Sequence, residues 1–294
     1  MLLQRTWQVT ALTLTLLTLP LTVVAWADVL PACVLDALRE RFDPTPRCEA
    51  PSPHPLRRGA DATHRLRYWH EIALHTSALD HTPVAPDEDR GFGEQFGPPR
   101  TSRVLAIVHI ALFDAVNAIT GGYQSYTHLP SAPADTSLDT AIAQAAHDTL
   151  VALYPSQRAR LDALLADDLS LLPEGEAQAN GIALGQQAAA AILALRRHDG
   201  AQHDEPCVGV EFLPSDEPGQ WRPDPISQIP LALGAFWGGV TPFVLEAADQ
   251  FRVPPPPDLA SRRYARAFND VKRLGGDGVS TPTVRTKDQT IAGI

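Results

Sequence analysis

The amino-acid sequence predicts an all-α protein on three observations. Apolar residues recur at helical spacing through most of the chain from Thr63 onwards. Prolines and glycines fall at the ends of those stretches. No strand-rich region and no short-period repeat occurs. At 294 residues the chain is long enough for one large domain or two ordinary ones, with ample length for a core.

Residues 1–27 read as a secretory signal peptide. Arg5 gives a positive start, Val9 to Val24 is an apolar, threonine-rich run, and Ala25-Trp26-Ala27 places small residues at the cleavage-determining positions. The run is shorter than the roughly 20 residues a spanning helix needs, and Pro20 interrupts it, so no stable membrane anchor is expected. Cleavage after Ala27 would export the mature chain to the periplasm or the exterior. Acidic residues outnumber basic ones 34 to 24, a net charge of -10 that disfavours nucleic acid and anionic membranes as partners. Only Lys272 and Lys287 are lysines.

Residues 28–62, rich in Pro and Arg, form an extended lead-in. In an oxidising compartment a Cys33–Cys48 bridge would close a short loop worth about 3 kcal/mol and leave Cys207 over. Three cysteines allow three pairings, and their spacing does not choose among them. There is no CxxC to suggest a zinc ribbon or a thioredoxin-like motif.

Residues 63–200 read as a helical bundle. The first helix, 64–79, carries Leu66, Trp69, Ala73 and Thr76 on one face, and a Gly/Pro/Asp loop, 80–99, follows it. The stretch 101–119 is apolar around most of its circumference, with a narrow polar stripe of Arg103, Asp114 and Asn117, which predicts a central helix with neighbours on nearly every side. Asp114 and Asn117 read as a satisfied buried polar pair. Helices over 138–154 and 156–172 end at Pro155 and Pro173, the second capped by Ser156. A long helix over 174–199 has Gly181, Gly185, Ala188, Ile192 and Leu195 on one face, where small residues permit close approach. Arg196, Arg197 and His198 suit its C-terminal dipole, and Gly200 stops it.

Residues 201–257 lose periodicity but hold Phe212, Trp221, Phe236, Trp237, Phe243 and Phe251 among prolines, which predicts an irregular strap over apolar surface. Residues 258–294 return to helix: 258–274 has Tyr264, Phe268 and Val271 on one face, and Thr286 with Gln289 forms a capping box near the end. The five residues after Gln289 make too short a helix to stand without a packed face.

Familiar catalytic motifs fail on geometry. His70 and His75 are five apart, about 140° around a helix, so they do not share a metal as the zinc-protease motif requires. No nucleophile elbow and no P-loop is present. Two fragments imitate an oxyanion site, Pro51-Ser52-Pro53-His54 and Ser102-Arg103 followed five residues later by His109. Pro53 has no N–H to donate where a glycine is needed, and Arg103 and His109 point about 120° apart on one helix.

A wider likeness runs in order along the chain: Trp69; PPRTSRVLAIVHIALFDAVNAI (98–119) with Tyr123; AIAQAAHDTLVALYP (141–155); the Gly181 and Gly185 helix into ALRRHDG (194–200); PGQWRPDP (218–225); FWGGVTPFVL (236–245); QFRVPPPPDLASRRYARAFNDVKRLG (250–275); and RTKDQT (285–290). These blocks resemble the N-terminal helical half of vanadium-dependent haloperoxidase-like proteins, in the superfamily that includes type 2 phosphatidic acid phosphatases. At His70 the family more often has Asn. The resemblance implies an exported protein whose complete form binds vanadate and uses peroxide to oxidise halide, or hydrolyses phosphate esters with the same cationic cradle. The cradle residues follow RTKDQT in the family and have no counterpart here. The resemblance therefore transfers no catalytic, cofactor-binding or metal-ligating residue, and these residues alone are expected to be inactive. A non-catalytic structural or binding module is the competing expectation, with self-association, or association through the face left by the missing half, as its mark.

Overall fold

Asp61 starts the first helix by accepting a hydrogen bond from the His64 amide at 2.9 Å, satisfying one of the free N–H groups of the opening turn. In the computed structural model, which describes residues 59–292 apart from Pro86 and Ser227, α1 spans Ala62–Asp80. It is followed by α2 (Pro98–Thr120), α3 (Leu138–Leu153), α4 (Arg158–Ser170) and α5 (Glu176–Arg196). Further on lie α6 (Arg262–Leu274) and α7 (Lys287–Ile291). The protein is all-α: among the described residues only two isolated β-bridges accompany the helices, Cys207 with Leu231 and Val208 with Phe212. The segment read as a signal peptide, most of the lead-in and the Pro51 to His54 fragment lie outside the described residues.

Helices α1 to α5 enclose one core, and its centre is α3 rather than α2. Helix α3 packs against α1, α2, α4 and α5. Its Ala141, Ala143, Ala145 and Ala146 are fully buried, and these small side chains let neighbours approach from every side. Helix α2 keeps one side open, with Ser102, His109 and Phe113 exposed. Thin side chains around its circumference let α3 be surrounded.

The α3–α5 contact is the tightest. A Cβ added at Gly181 would lie 2.7 Å from Thr140 Cβ, and one at Gly185 would lie 2.6 Å from Gln144 Cβ. Ala188 and Ile192 continue that buried face, but Leu195 is 56% exposed. On the register set by the two glycines, Leu195 falls level with the end of α3, so no side chain stands opposite it.

Helix α4 differs from expectation at its start. Residues Pro155–Gln157 form a 3-10 turn, and Ser156 makes no cap. Its hydroxyl instead donates to Glu94 Oε2 at 2.6 Å, tying the loop after α1 to the start of α4. Asp114 and Asn117 hold a neighbouring loop, as a satisfied buried pair does. Asp114 accepts from the Tyr126 and Thr127 amides and from both Ser125 and Thr127 hydroxyls, and Asn117 brackets the Tyr123 backbone.

The strap docks only in part. Phe243 packs on the core, and Arg196 lies 4.0 Å above its ring while donating to the Thr241 and Pro242 carbonyls. Arg196 is therefore buried in a polar knot rather than exposed at the helix end. Beyond it Val244, Phe251 and Val253 are mostly exposed, so residues 244–257 do not cover apolar surface as expected. Cys207 is disulfide-bonded, which makes it a member of one of the pairings that the spacing left open. The spacing of 33 and 48 suggested a local loop, whereas buried Cys207 is brought in by the fold. Helices α6 and α7 bury no residue.

Candidate functional site

A cleft runs along the seam of α1 and α2. The loop between them is folded back by Asp80, whose carboxylate accepts from the Glu94 and Gln95 amides at 2.7 and 2.9 Å. Burial pushes the Asp80 carboxyl above its ordinary range, and those amide bonds pull against it. His81 stacks on Phe96, and its Nε2 accepts from the Gly97 amide at 3.0 Å. Gly97, at φ +92°, supplies the left-handed turn from which Pro98 and Pro99 start α2. The two helices consequently run antiparallel, and each packs on α3 more closely than on the other.

One end of this seam is an open groove lined by Leu74, Ser77, Ala78 and His81 from α1 and by Pro98, Thr101 and Ser102 from α2. Further along it, one turn before Leu74 on α1 and two turns after Ser102 on α2, stand His70 and His109. Their Nδ1 and Nε2 atoms are 3.1 Å apart, with ring centroids 5.1 Å apart and planes tilted by 50°. One nitrogen donates to the other, so at least one ring is neutral on that edge. Burial, and then the neighbouring His70, hold His109 below the ordinary imidazole value. Leu74 and Phe113, 45% and 39% exposed, flank the pair at helical spacing.

Beneath the cleft, α1 is anchored by a buried ionic group. Arg65 donates to both oxygens of Asp168 on α4 and lies 2.6 Å from Asp139, while Trp69 Nε1 donates to Asp168 at 2.9 Å. This fixes the rotation of α1 and so the direction in which His70 projects.

The oxyanion-like fragment on α2 is taken apart by the fold. Ser102 donates to the Pro98 carbonyl, Arg103 pairs with Asp199 at 2.7 Å, and His109 meets His70. His75 likewise turns away from His70 and accepts from Arg160. The guanidinium groups that point inward are already committed: Arg65 to Asp168 and Asp139, Arg103 and Arg196 to Asp199, Arg160 to His75 and Thr76, and Arg100 to the carbonyls of residues 201 and 203. The described residues therefore do not fit vanadate, which needs several free cations and backbone N–H groups converging on one point. Among them no group of three or more His, Cys, Asp or Glu is placed to hold a metal ion.

The His70–His109 pair was not legible in the sequence. Spacing of four with Leu66 and Leu74 marks the face of α1 that His70 shares, but the partner 39 residues away depends on the register of two antiparallel helices. Comparison with protein-family models, with curated proteins and with solved structures finds no match for this chain.

Proposed function

We propose that this chain is the exported helical scaffold of a vanadium haloperoxidase-like protein, and that it positions and covers a reaction centre without performing the chemistry itself. The observation that carries the non-catalytic reading is the commitment of the inward-pointing arginines to carboxylates, a histidine and carbonyls, which leaves no cationic cradle among the described residues. The ordered blocks quoted above support the family. The disulfide at Cys207 and the leader-like residues 1–27 support export, since structural disulfides persist in oxidising compartments.

In this reading the exposed apolar residues of α6, Phe268 and Val271 at 57% and 71%, are contact surface for the vanadate-binding half of the complete protein. The deciding experiment is peroxide-driven bromination of a dye by these 294 residues with added vanadate and bromide. No vanadate-dependent turnover is expected, and turnover would overturn the proposal. Intact mass of the protein from its source is the companion measurement: a species much heavier than a chain running from Asp28 to Ile294 supports a scaffold half, and a matching mass favours a self-contained binding module. A mature N-terminus other than Asp28 would count against export with cleavage after Ala27.

A further inference from the structure

We propose that His70 and His109 form a two-imidazole site for a first-row divalent transition cation, of the class of Zn²⁺, Cu²⁺ or Ni²⁺, in the cleft between α1 and α2. The argument starts from separation. Two imidazole nitrogens bound to one metal at about 2.0–2.1 Å in tetrahedral geometry lie roughly 3.3 Å from each other. The Nδ1 of His70 and the Nε2 of His109 are 3.1 Å apart, so a small ring rotation replaces the shared proton by a cation.

Preorganisation is the second step. The two rings come from different helices, separated by 39 residues in sequence, so the backbone of each is fixed independently of the ligand. The rotation of α1 is set by the Arg65, Trp69 and Asp168 group one turn earlier. On α2, Ile107, Ala111 and Ala118 are buried on the opposite side, which keeps His109 facing outward. Little conformational freedom remains to be lost on binding, which favours affinity.

Ligand chemistry selects the cation. Imidazole suits zinc, copper and nickel, whereas calcium and magnesium need oxygen donors. Both coordinating nitrogens must be deprotonated for a cation to bind. No third protein ligand is placed beside them among the described residues, so the remaining positions belong to water or to a donor group entering the open groove lined by Leu74 and Ser102. Such a site holds a metal with open positions, as a ligand-accepting centre requires.

The test uses the full mature chain freed of metal by chelation. Zn²⁺ is titrated by calorimetry and Cu²⁺ is followed by electron paramagnetic resonance, with circular dichroism as the folding control. The expected result is one tight cation per chain, with splitting from two nitrogens in the copper spectrum. His70→Gln and His109→Gln should each weaken binding by more than the roughly 10- to 100-fold that loss of a merely supporting contact causes. The double variant should lose the tight step, while His64→Gln, at an exposed histidine of α1, should keep it. Absence of a tight step in the wild-type chain, or its survival in the folded double variant, overturns the proposal.

Discussion

Trp69 in α1 and Phe268 in α6 are both aromatic residues on the apolar side of an amphipathic helix, yet Trp69 is fully buried and Phe268 is 57% exposed. The same contrast holds for whole regions. In residues 62–200 each helix has an apolar face with another helix opposite it, and polar groups carried inside, such as Arg65 and Asp114, are met by several partners. In residues 244–292 helices begin with equally good caps, Ser261 for α6 and the Thr286–Gln289 box for α7, but among the described residues no bundle helix packs on them as the bundle helices pack on one another. Capping starts a helix at either place, and only burial gives it a fixed tertiary position.

Changes in the bundle should therefore be severe, and equivalent changes in α6 mild. The largest effect is expected from Asp168→Ala, which leaves the Arg65 guanidinium with only Asp139 and the Trp69 N–H unpaired in the core. Breaking a buried pair from one side costs about 3–5 kcal/mol, and urea denaturation followed by tryptophan fluorescence measures it. Gly185→Ala comes next. Its added Cβ would sit 2.6 Å from Gln144 Cβ and 2.8 Å from the Ala145 amide nitrogen, so α3 and α5 must separate at a cost of about 1–3 kcal/mol. Gly238→Ala, in the strap with open space around it, serves as the neutral control in the same denaturation series.

A pH titration sharpens the comparison within the bundle. His147 of α3 lies between Asp148, 2.7 Å from Nδ1, and Asp162 of α4, 2.8 Å from Nε2. Burial alone would lower its pKa, but the hydrogen bonds to the two carboxylates outweigh burial and raise it. A raised histidine contributes stability that is complete below the unfolded-state value of about 6.5 and is lost as pH rises through the folded-state value. The urea midpoint should thus fall from about pH 6.5 upwards. His147→Gln should flatten that slope. A midpoint that rises over this range in the wild-type chain alone would show the imidazole to be neutral. The smallest effect is expected from Phe268→Ala, within about 0.5 kcal/mol, because the ring is mostly exposed and loses only its stacking on Tyr264 of the same helix. A larger loss in the isolated chain would mean that α6 has a partner in solution, and sedimentation would then show self-association.

Much of the fold was legible because its signals are local. The spacing of Trp69, Ala73 and Thr76, the cap at Thr286, the stops at Pro155 and Pro173, and the small faces of Gly181 and Gly185 each lie within one segment. Errors arose where two segments had to be compared. The hydropathy of 101–119 suggested the centre of the bundle, but the alanines of α3 occupy it. Ser156 has the chemistry of a cap, but Glu94, 62 residues earlier, takes its hydroxyl. The pairing of Cys207 was left open because pairing is a property of the folded chain.

The sequence by itself determined the helical class, the bounds of most helices to within a few residues, and the polar pair Asp114 and Asn117, since these follow from periodicity, capping and the cost of burying unpaired groups. Only the tertiary structure decided which helix is central, that the arginines of the bundle are committed to partners, and that His70 and His109 face each other across a cleft. Those outcomes depend on the register and rotation of helices far apart in the chain, which packing sets through side-chain size.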